Sequence, residues 1–318
     1  MTIALATRDV FKIYQGKQEH TDVVALQGVN VELHNGEFVS IVGPSGSGKS
    51  TLIHVLGGLI RPSAGMVIVK DTNITTLSPS RLAWFRRQHI GFVFQISNLI
   101  PMLSLYENVV LPMKITGSKN QKKRALELIS SVGLKDRQKH KPHQLSGGEL
   151  QRGSIACALA NDPDILLGDE ITGELDTVTS QEIMNFLKDL NKEHGLAMLY
   201  VTHNEQLASQ ADRVLRIKDG SVLTQRLKEG DPEELYEIST KGRITIPEEF
   251  KQSIGFDRLV KMRRSPDGSH LQLYPADHSF KILEKTKTLE TSRKQCPSCE
   301  KFIPDRARFC PKCGTKFE

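Results

Sequence analysis

From Val10 to about Val222, short apolar runs (EFVSIVG, HIGFVFQ, ILLGDE, LAMLYVTH) alternate with stretches of helical spacing such as RALELISSVGL and SQEIMNFLKDLN. Strands that alternate with helices predict an α/β domain built on a parallel sheet. An early segment, VALQGVNVELHNGE, has period-two alternation and an Asn35-Gly36 turn, which predicts a hairpin and some antiparallel sheet beside it. Between Gln95 and Ser146 the pattern, with Pro101 and Pro112, reads as a mostly helical insertion at about 96–145. The polar connector TQRLKEGD then closes a domain assigned to residues 1–225. Beyond it, strand-like ITI, a proline-started short helix and two alternating runs, LVKMRR and HLQLYP, flanking Ser-Pro-Asp-Gly predict a small β-rich module at 233–277. A charged linker, KILEKTKTLETSRK, leads to a cysteine-bearing tail at 295–318.

Length agrees with this division: 318 residues exceed one small domain on a prior of about 100–200 residues each. No run of ~18 apolar residues is present, so the chain is expected to cross no membrane. MTIALATRDVFKIYQ lacks the basic start, apolar run and cleavage site of a secretory leader, which predicts a cytoplasmic protein. The net charge is +6 and much of the excess lies after Lys281, so charge alone implies no general nucleic-acid affinity. Four of the five cysteines fall in the last 23 residues, and in a reducing compartment that clustering favours metal over disulfides.

The run IVGPSGSGKST fits G-x-x-x-x-G-K-[ST] between an apolar strand and a helix-like TLIHVLGGL. Gly43, Gly46 and Gly48 let backbone N–H groups approach phosphate oxygens; Lys49 brings a mobile positive charge and the Ser50 hydroxyl a ligand for Mg²⁺. A triphosphate with its metal also needs a carboxylate at a neighbouring strand end. ILLGDE supplies Asp169 for the Mg²⁺ shell and Glu170 to orient or deprotonate the attacking water.

LSGGE at 145–149 resembles the signature sequence of the ABC (ATP-binding cassette) family, and the other family elements appear in order over about 220 residues. The resemblance implies a P-loop ATPase with a helical subdomain. ATP phosphates would lie on Gly43, Pro44, Ser45, Gly46, Ser47, Gly48, Lys49, Ser50 and Thr51, with adenine on Tyr14. Gln95 would join Ser50 and Asp169 at Mg²⁺, and His203 would meet the γ-phosphate. It further implies a head-to-tail homodimer in which Ser146, Gly147 and Gly148 of one copy complete the site of the other, with Asp176 as a further nucleotide-contacting position. HVLGGLIRPSAG, RRQHIGFVFQISNLIPMLSLYENVVLPM and DPDILLGDEITGELD look most like the lipoprotein-releasing and macrolide-export group, whose members work beneath a separate permease. The expected location is therefore the inner face of the cell membrane, with NLIPMLSLYENVVLP as the docking stretch.

Three residues depart from the family pattern. Ile171 stands where DEPTG has proline, which predicts a looser aim for Glu170. Leu150 replaces a usual Gln, and Cys157, in place of a usual Arg, is expected to pack as a small apolar residue.

STKGRITIPEEFKQSIGF resembles the swapped-hairpin module of AbrB-like regulators, which bind DNA as interleaved dimers. Residues 233–277 carry seven basic and eight acidic side chains, so dimerisation or regulation is favoured over DNA binding. The tail has two C-x-x-C pairs ten residues apart, and Cys296, Cys299, Cys310 and Cys313 fit a closed tetrahedral Zn²⁺ site like that of compact zinc ribbons. The alternative to an energising transport subunit is a soluble ABC ATPase with a DNA-binding or regulatory role through these modules.

Overall fold

The computed structural model describes residues 2–16, 22–173, 175–227, 235–236, 260–264, 271–275, 293–295 and 302–304. The chain divides into two compact units, Met1–Thr245 and Ile246–Glu318.

In the first unit, β1 (Ile3–Tyr14), β2 (Val23–Val29) and β3 (Glu32–His34) precede β4 (Phe38–Val42), the phosphate loop and α1 (Lys49–Leu56). Then come β5 (Ala64–Val69), β6 (Thr72–Asn73), α2 (Pro79–His89) and β7 (Ile90–Val93). The helices α3 (Leu105–Thr116), α4 (Gln121–Ser131) and α5 (Gly147–Ala158) occupy the following stretch. The chain re-enters the sheet through β8 (Ile165–Asp169), α6 (Thr177–His194), β9 (Ala197–Val201), α7 (Glu205–Ala208), β10 (Arg213–Lys218), β11 (Ser221–Leu227) and β12 (Leu235–Tyr236).

The larger sheet runs β12-β11-β10-β4-β9-β8-β7, with every pair from β10 to β7 parallel. All residues of β4, β8 and β9 are buried, the condition of parallel strands covered on both faces, which is why they read as unbroken apolar runs. Alternate residues serve two cores. Leu166, Met198 and Tyr200 face α3, α5 and α6 through Val109, Ile155, Ile183 and Leu187. Leu167, Leu199 and Ile41 face α1 and the smaller antiparallel sheet, β2-β1-β5-β6 with β3 also on β1, through Leu52, Ile53, Leu5 and Leu33.

Two sequence expectations change here. Antiparallel sheet is present, but VALQGVNVELHNGE is not a hairpin: β2 and β3 both pair with β1, and Asn35-Gly36 carries the chain from the smaller sheet into β4 of the larger. A turn fixes only local direction, and β1 is long enough at twelve residues to take both partners. The connector TQRLKEGD is strand as far as Leu227, where β11 pairs antiparallel with β10. The backbone N–H and C=O groups of the β10 edge find partners there in spite of the polar composition.

In the second unit, β13 (Val260–Arg264) pairs antiparallel with β14 (Leu271–Pro275) across the Ser-Pro-Asp-Gly stretch, and β15 (Arg293–Gln295) pairs with β16 (Phe302–Pro304). The ITI segment and Cys296, Cys299, Cys310 and Cys313 lie outside the described residues.

Candidate active site

The candidate residues gather at the C-terminal ends of β4, β8 and β9. The phosphate loop leaves β4 and turns into α1 through Gly48, whose φ of 100° is a conformation that suits glycine. No side chain caps α1, so its first N–H groups stay open at the positive end of the helix dipole. Lys49 Nζ donates to the Gly43 and Pro44 carbonyls at 2.9 Å each, folding the ammonium back along the loop. Pro44, Ser45 and Gly46 are exposed, Gly43, Gly48 and Thr51 half-buried. Ser47 is buried and its Oγ has no hydrogen-bond partner among the described residues.

Ser50 Oγ donates to Asp169 Oδ1 at 3.1 Å, joining the loop to the end of β8. The second Asp169 oxygen lies 3.3 Å from His54 Nε2. Burial raises the Asp169 carboxyl above its ordinary range; the Ser50 hydrogen bond and the His54 and Lys49 charges oppose this in part. A buried carboxylate whose desolvated charge calls for a cation, beside a hydroxyl and with the buried Ser47 hydroxyl and an uncapped helix start nearby, suits a magnesium-bound triphosphate.

Sequence reasoning missed His54. It lies one helical turn after Ser50, and i,i+4 residues share a helix face, so the spacing carried the signal. Its ring leans on Phe92 and Phe94 at centroid distances of 5.7 and 6.4 Å.

Glu170 follows Asp169 with φ 47°, left-handed for a residue with a side chain, at a cost on the order of 1–3 kcal/mol. The turn is tied at both ends: Glu170 N–H donates to the Val201 carbonyl at 3.1 Å, and Gly173 N–H to the Glu170 carbonyl at 2.9 Å. Glu170 Oε2 is 3.8 Å from His203 Nδ1. A methyl on Gly173 would meet the Gln95 amide nitrogen at 3.4 Å and Glu170 Oε2 at 3.5 Å, so both side chains border the same small volume. Ile171 is buried in the core cluster that also holds Tyr200 and Leu207.

Gln95 is held from α5: Gln151 Nε2 donates to the Phe94 carbonyl at 3.0 Å, and Ser97 and Ser154 hydroxyls meet at 2.9 Å. Beside it a groove of about 410 Å³ is lined by Ile96, Leu99, Pro101, Leu150, Ile171 and Leu175 among others. Ile96 and Met102 stand 71% and 76% exposed on this side of the chain. Tyr14 is part-exposed at the end of β1, with Lys12 Nζ 5.0 Å over one face of its ring.

Of the signature residues, Gly147 lines the groove beside Gln95. Ser146 caps α5 in a reciprocal box with Glu149, its Oγ accepting from Glu149 N–H at 3.3 Å and its N–H donating to the Glu149 carboxylate at 2.8 Å. Among the described residues no hydrogen bond or ion pair joins Ser146, Gly147 or Gly148 to the phosphate loop. Asp176 caps α6, accepting from Val178 and Thr179 N–H at 3.0 Å each and from the Thr179 hydroxyl at 2.6 Å. Cys157 is half-buried against the core, and burial pushes its thiol up to about 12.

A family model described as ABC transporter matches residues 26–173. The lipoprotein-releasing system ATP-binding protein LolD of Acinetobacter baylyi is 43% identical over 221 residues, covering 69% of this chain and 96% of that protein. The macrolide export ATP-binding/permease protein MacB of Rhodopirellula baltica is 46% identical over 205 residues, 63% of this chain but 30% of that longer protein. The solved dimeric, post-hydrolysis structure of the ATP-binding cassette MJ0796 bound to ADP and Pi superposes with a TM-score of 0.66 at 41% identity, covering 71% of this chain and all of that one. With nearly the whole of a curated relative matched at this identity, the chain belongs to the ABC transporter family, as one of its ATP-hydrolysing nucleotide-binding subunits.

Proposed function

We propose that two copies of this chain pair head to tail around two ATP molecules and drive a separate membrane permease of the lipoprotein-releasing or macrolide-export type. The observation that carries the pairing is the separation inside one copy: Ser146, Gly147 and Gly148 open α5 and, among the described residues, make no hydrogen bond or ion pair to their own phosphate loop. Their N–H groups are available to phosphate held by a second copy. A cassette 41% identical to this chain is described as dimeric.

In this reading Lys49 and the N–H groups from Gly43 to Thr51, those of Pro44 excepted, hold the phosphates, and Tyr14 offers its free face to adenine. Ser50, Asp169 and Gln95 hold Mg²⁺, which when bound offsets charge on the phosphate oxygens. Glu170 orients or deprotonates the attacking water, His203 contacts the γ-phosphate, and Asp176 contacts nucleotide. The groove beside Gln95 receives the permease, supported by the exposed Ile96 and Met102 on that side. Among the described residues no helix is long and apolar enough to cross a membrane, consistent with attachment through that partner at the cytoplasmic face.

The domain bounds follow the sequence: ATPase at 1–225, AbrB-like dimerisation or regulatory module at 233–277, and zinc ribbon at 295–318 with Cys296, Cys299, Cys310 and Cys313 as ligands. One zinc ion per chain in a metal assay is expected, and none would remove the ribbon. For the main reading, Glu170→Gln is expected to bind ATP, lose hydrolysis and elute as an ATP-dependent dimer from a sizing column. Wild-type turnover would refute the role of Glu170, and a monomer at saturating ATP would refute the paired site.

A further inference from the structure

Ile171 occupies the place where family resemblance leads one to expect proline, and its surroundings fit it closely. Proline steadies a turn by fixing φ through its ring; isoleucine has no such hold, so any restraint it applies comes from side-chain packing. That side chain is 3% exposed. It folds back over β8 so closely that a methyl on Gly168 would lie 2.1 Å from Ile171 Cδ1 and 2.6 Å from Cγ1. Atoms packed at native density do not approach to such distances, so with any larger residue at 168 the Ile171 side chain must leave the position it holds. The same hypothetical methyl would stand 3.3 Å from Tyr200 Cβ. The space over Gly168 is therefore bounded by β9 on one side and filled by Ile171 on the other.

The residue between this pair and the reaction is Glu170. Its backbone is left-handed, and its carboxylate lies 3.8 Å from His203 and beside the volume it shares with Gln95. A buried anchor immediately after a strained residue resists its relaxation into ordinary extended or right-handed backbone, because relaxation would lift the anchor out of the core.

We propose that Ile171, docked over Gly168, is a positioning residue for ATP hydrolysis: the matched pair replaces a proline ring in holding the turn that aims Glu170. The inference rests on the assignment of Glu170 as the catalytic carboxylate. Shape complementarity at one point makes a non-additive prediction, since residues in contact couple and distant ones do not.

The test is steady-state ATP hydrolysis by the full chain carrying Ile171→Val, Ile171→Ala, Gly168→Ala, and Gly168→Ala combined with each. A fluorescent ATP analogue bound at wild-type stoichiometry certifies the fold. Ile171→Ala and Gly168→Ala are each expected to lower kcat roughly tenfold with KM for ATP changed less than about twofold, the signature of lost transition-state alignment rather than lost binding. The Gly168→Ala/Ile171→Ala chain is expected to recover to within about threefold of wild type, because the new methyl enters space that the shortened side chain vacates. If Ile171→Ala does not fold, Gly168→Ala/Ile171→Val must still turn over faster than Gly168→Ala, since Cδ1, the atom in closest conflict, is gone. Multiplicative losses in the double variants, or wild-type kcat in Ile171→Ala, would overturn the pairing. Wild-type kcat in Glu170→Gln would instead remove the assignment beneath it, so the two failures are distinguishable.

Discussion

Tyr200→Phe tests how the segment bearing His203 is held. Tyr200 lies near the end of β9, buried, with its ring 5.2 Å from that of Phe38 and its hydroxyl donating to the Leu207 carbonyl at 2.6 Å. That bond closes the loop through His203 onto α7. Burial holds the phenol far above its ordinary pKa, so it remains a donor throughout the working pH range. The substitution deletes one oxygen and leaves the ring packing intact. Leu207 keeps a second donor, the Gln210 N–H at 3.2 Å, so its carbonyl is weakened and not orphaned. The expected loss is then that of one net buried hydrogen bond, about 1 kcal/mol, below the ~1–3 kcal/mol of an unsatisfied group. For a unit of this size that lowers Tm by about 2–4 °C in thermal unfolding. kcat should fall about two- to fivefold with KM for ATP unchanged, because His203 loses a tether and no binding contact. An unchanged Tm would refute the energetic argument. A lowered Tm with unchanged kcat would show that the tether does not aim His203.

Lys49→Ala removes the charge seated on the phosphate loop and should abolish binding of a fluorescent ATP analogue; retained binding would sink the loop's assignment. His54→Ala strips Asp169 of one of its two described partners, and loss of such support around a metal ligand typically costs about 10–100-fold, read here as the Mg²⁺ concentration giving half-maximal hydrolysis. Asp164→Asn breaks bonds from Lys70 and His89, both 2.7 Å long, that link β5 and α2 to the start of β8. Burial raises that carboxyl, but Lys70 and His89 outweigh it and hold it below the ordinary range. Its stabilisation is thus present above the unfolded carboxylate range and lost as pH falls through the folded value. With screening at these part-exposed positions the variant should lose about 1 kcal/mol at pH 7 in urea unfolding, with the difference closing in acid; a pH-independent difference would refute the ion-pair account.

The elements most legible in the sequence were those whose local pattern and burial agree. Parallel strands covered on both faces must be apolar throughout, so EFVSIVG and ILLGDE declared both their type and the C-terminal ends at which Ser50 and Asp169 meet. Partner choice was not legible: Asn35-Gly36 marks a turn, but whether β3 pairs with β2 or with β1 depends on β1, twenty or more residues before it. His54 went unread because a single histidine in an apolar helix has no distinctive pattern until Asp169 is placed beside it. Ile171 was read as a missing proline, a loss, because the compensating feature is an absent side chain at Gly168. The signature helix was legible as a helix start, yet its capping box also explains Glu149, whose carboxylate Ser146 and Arg137 hold below the ordinary range.

Helix α5 gives the site its mechanical logic. Its first turn carries Ser146, Gly147 and Gly148, while Gln151 and Ser154, on the face turned toward the loop after β7, bond the chain on either side of Gln95. Both bonds have ordinary hydrogen-bond lengths and Gln151 is buried, so moving the chain around Gln95 means breaking them or carrying α5 along. Breaking them leaves buried polar groups unpaired, at about 1–3 kcal/mol each, whereas a rigid-body shift of a twelve-residue helix keeps them. A partner seated in the groove between Leu99 and Leu150 therefore acts on Gln95 and on the signature together. Ile171 lines that groove as well, so the same displacement reaches the turn at Glu170 through side-chain contact. One pocket thus borders Gln95, proposed to bind metal, Ile171, which follows the proposed water-activating Glu170, and Gly147 of the segment proposed to close over a second copy's nucleotide, which is the arrangement a subunit needs if a docked partner is to gate hydrolysis.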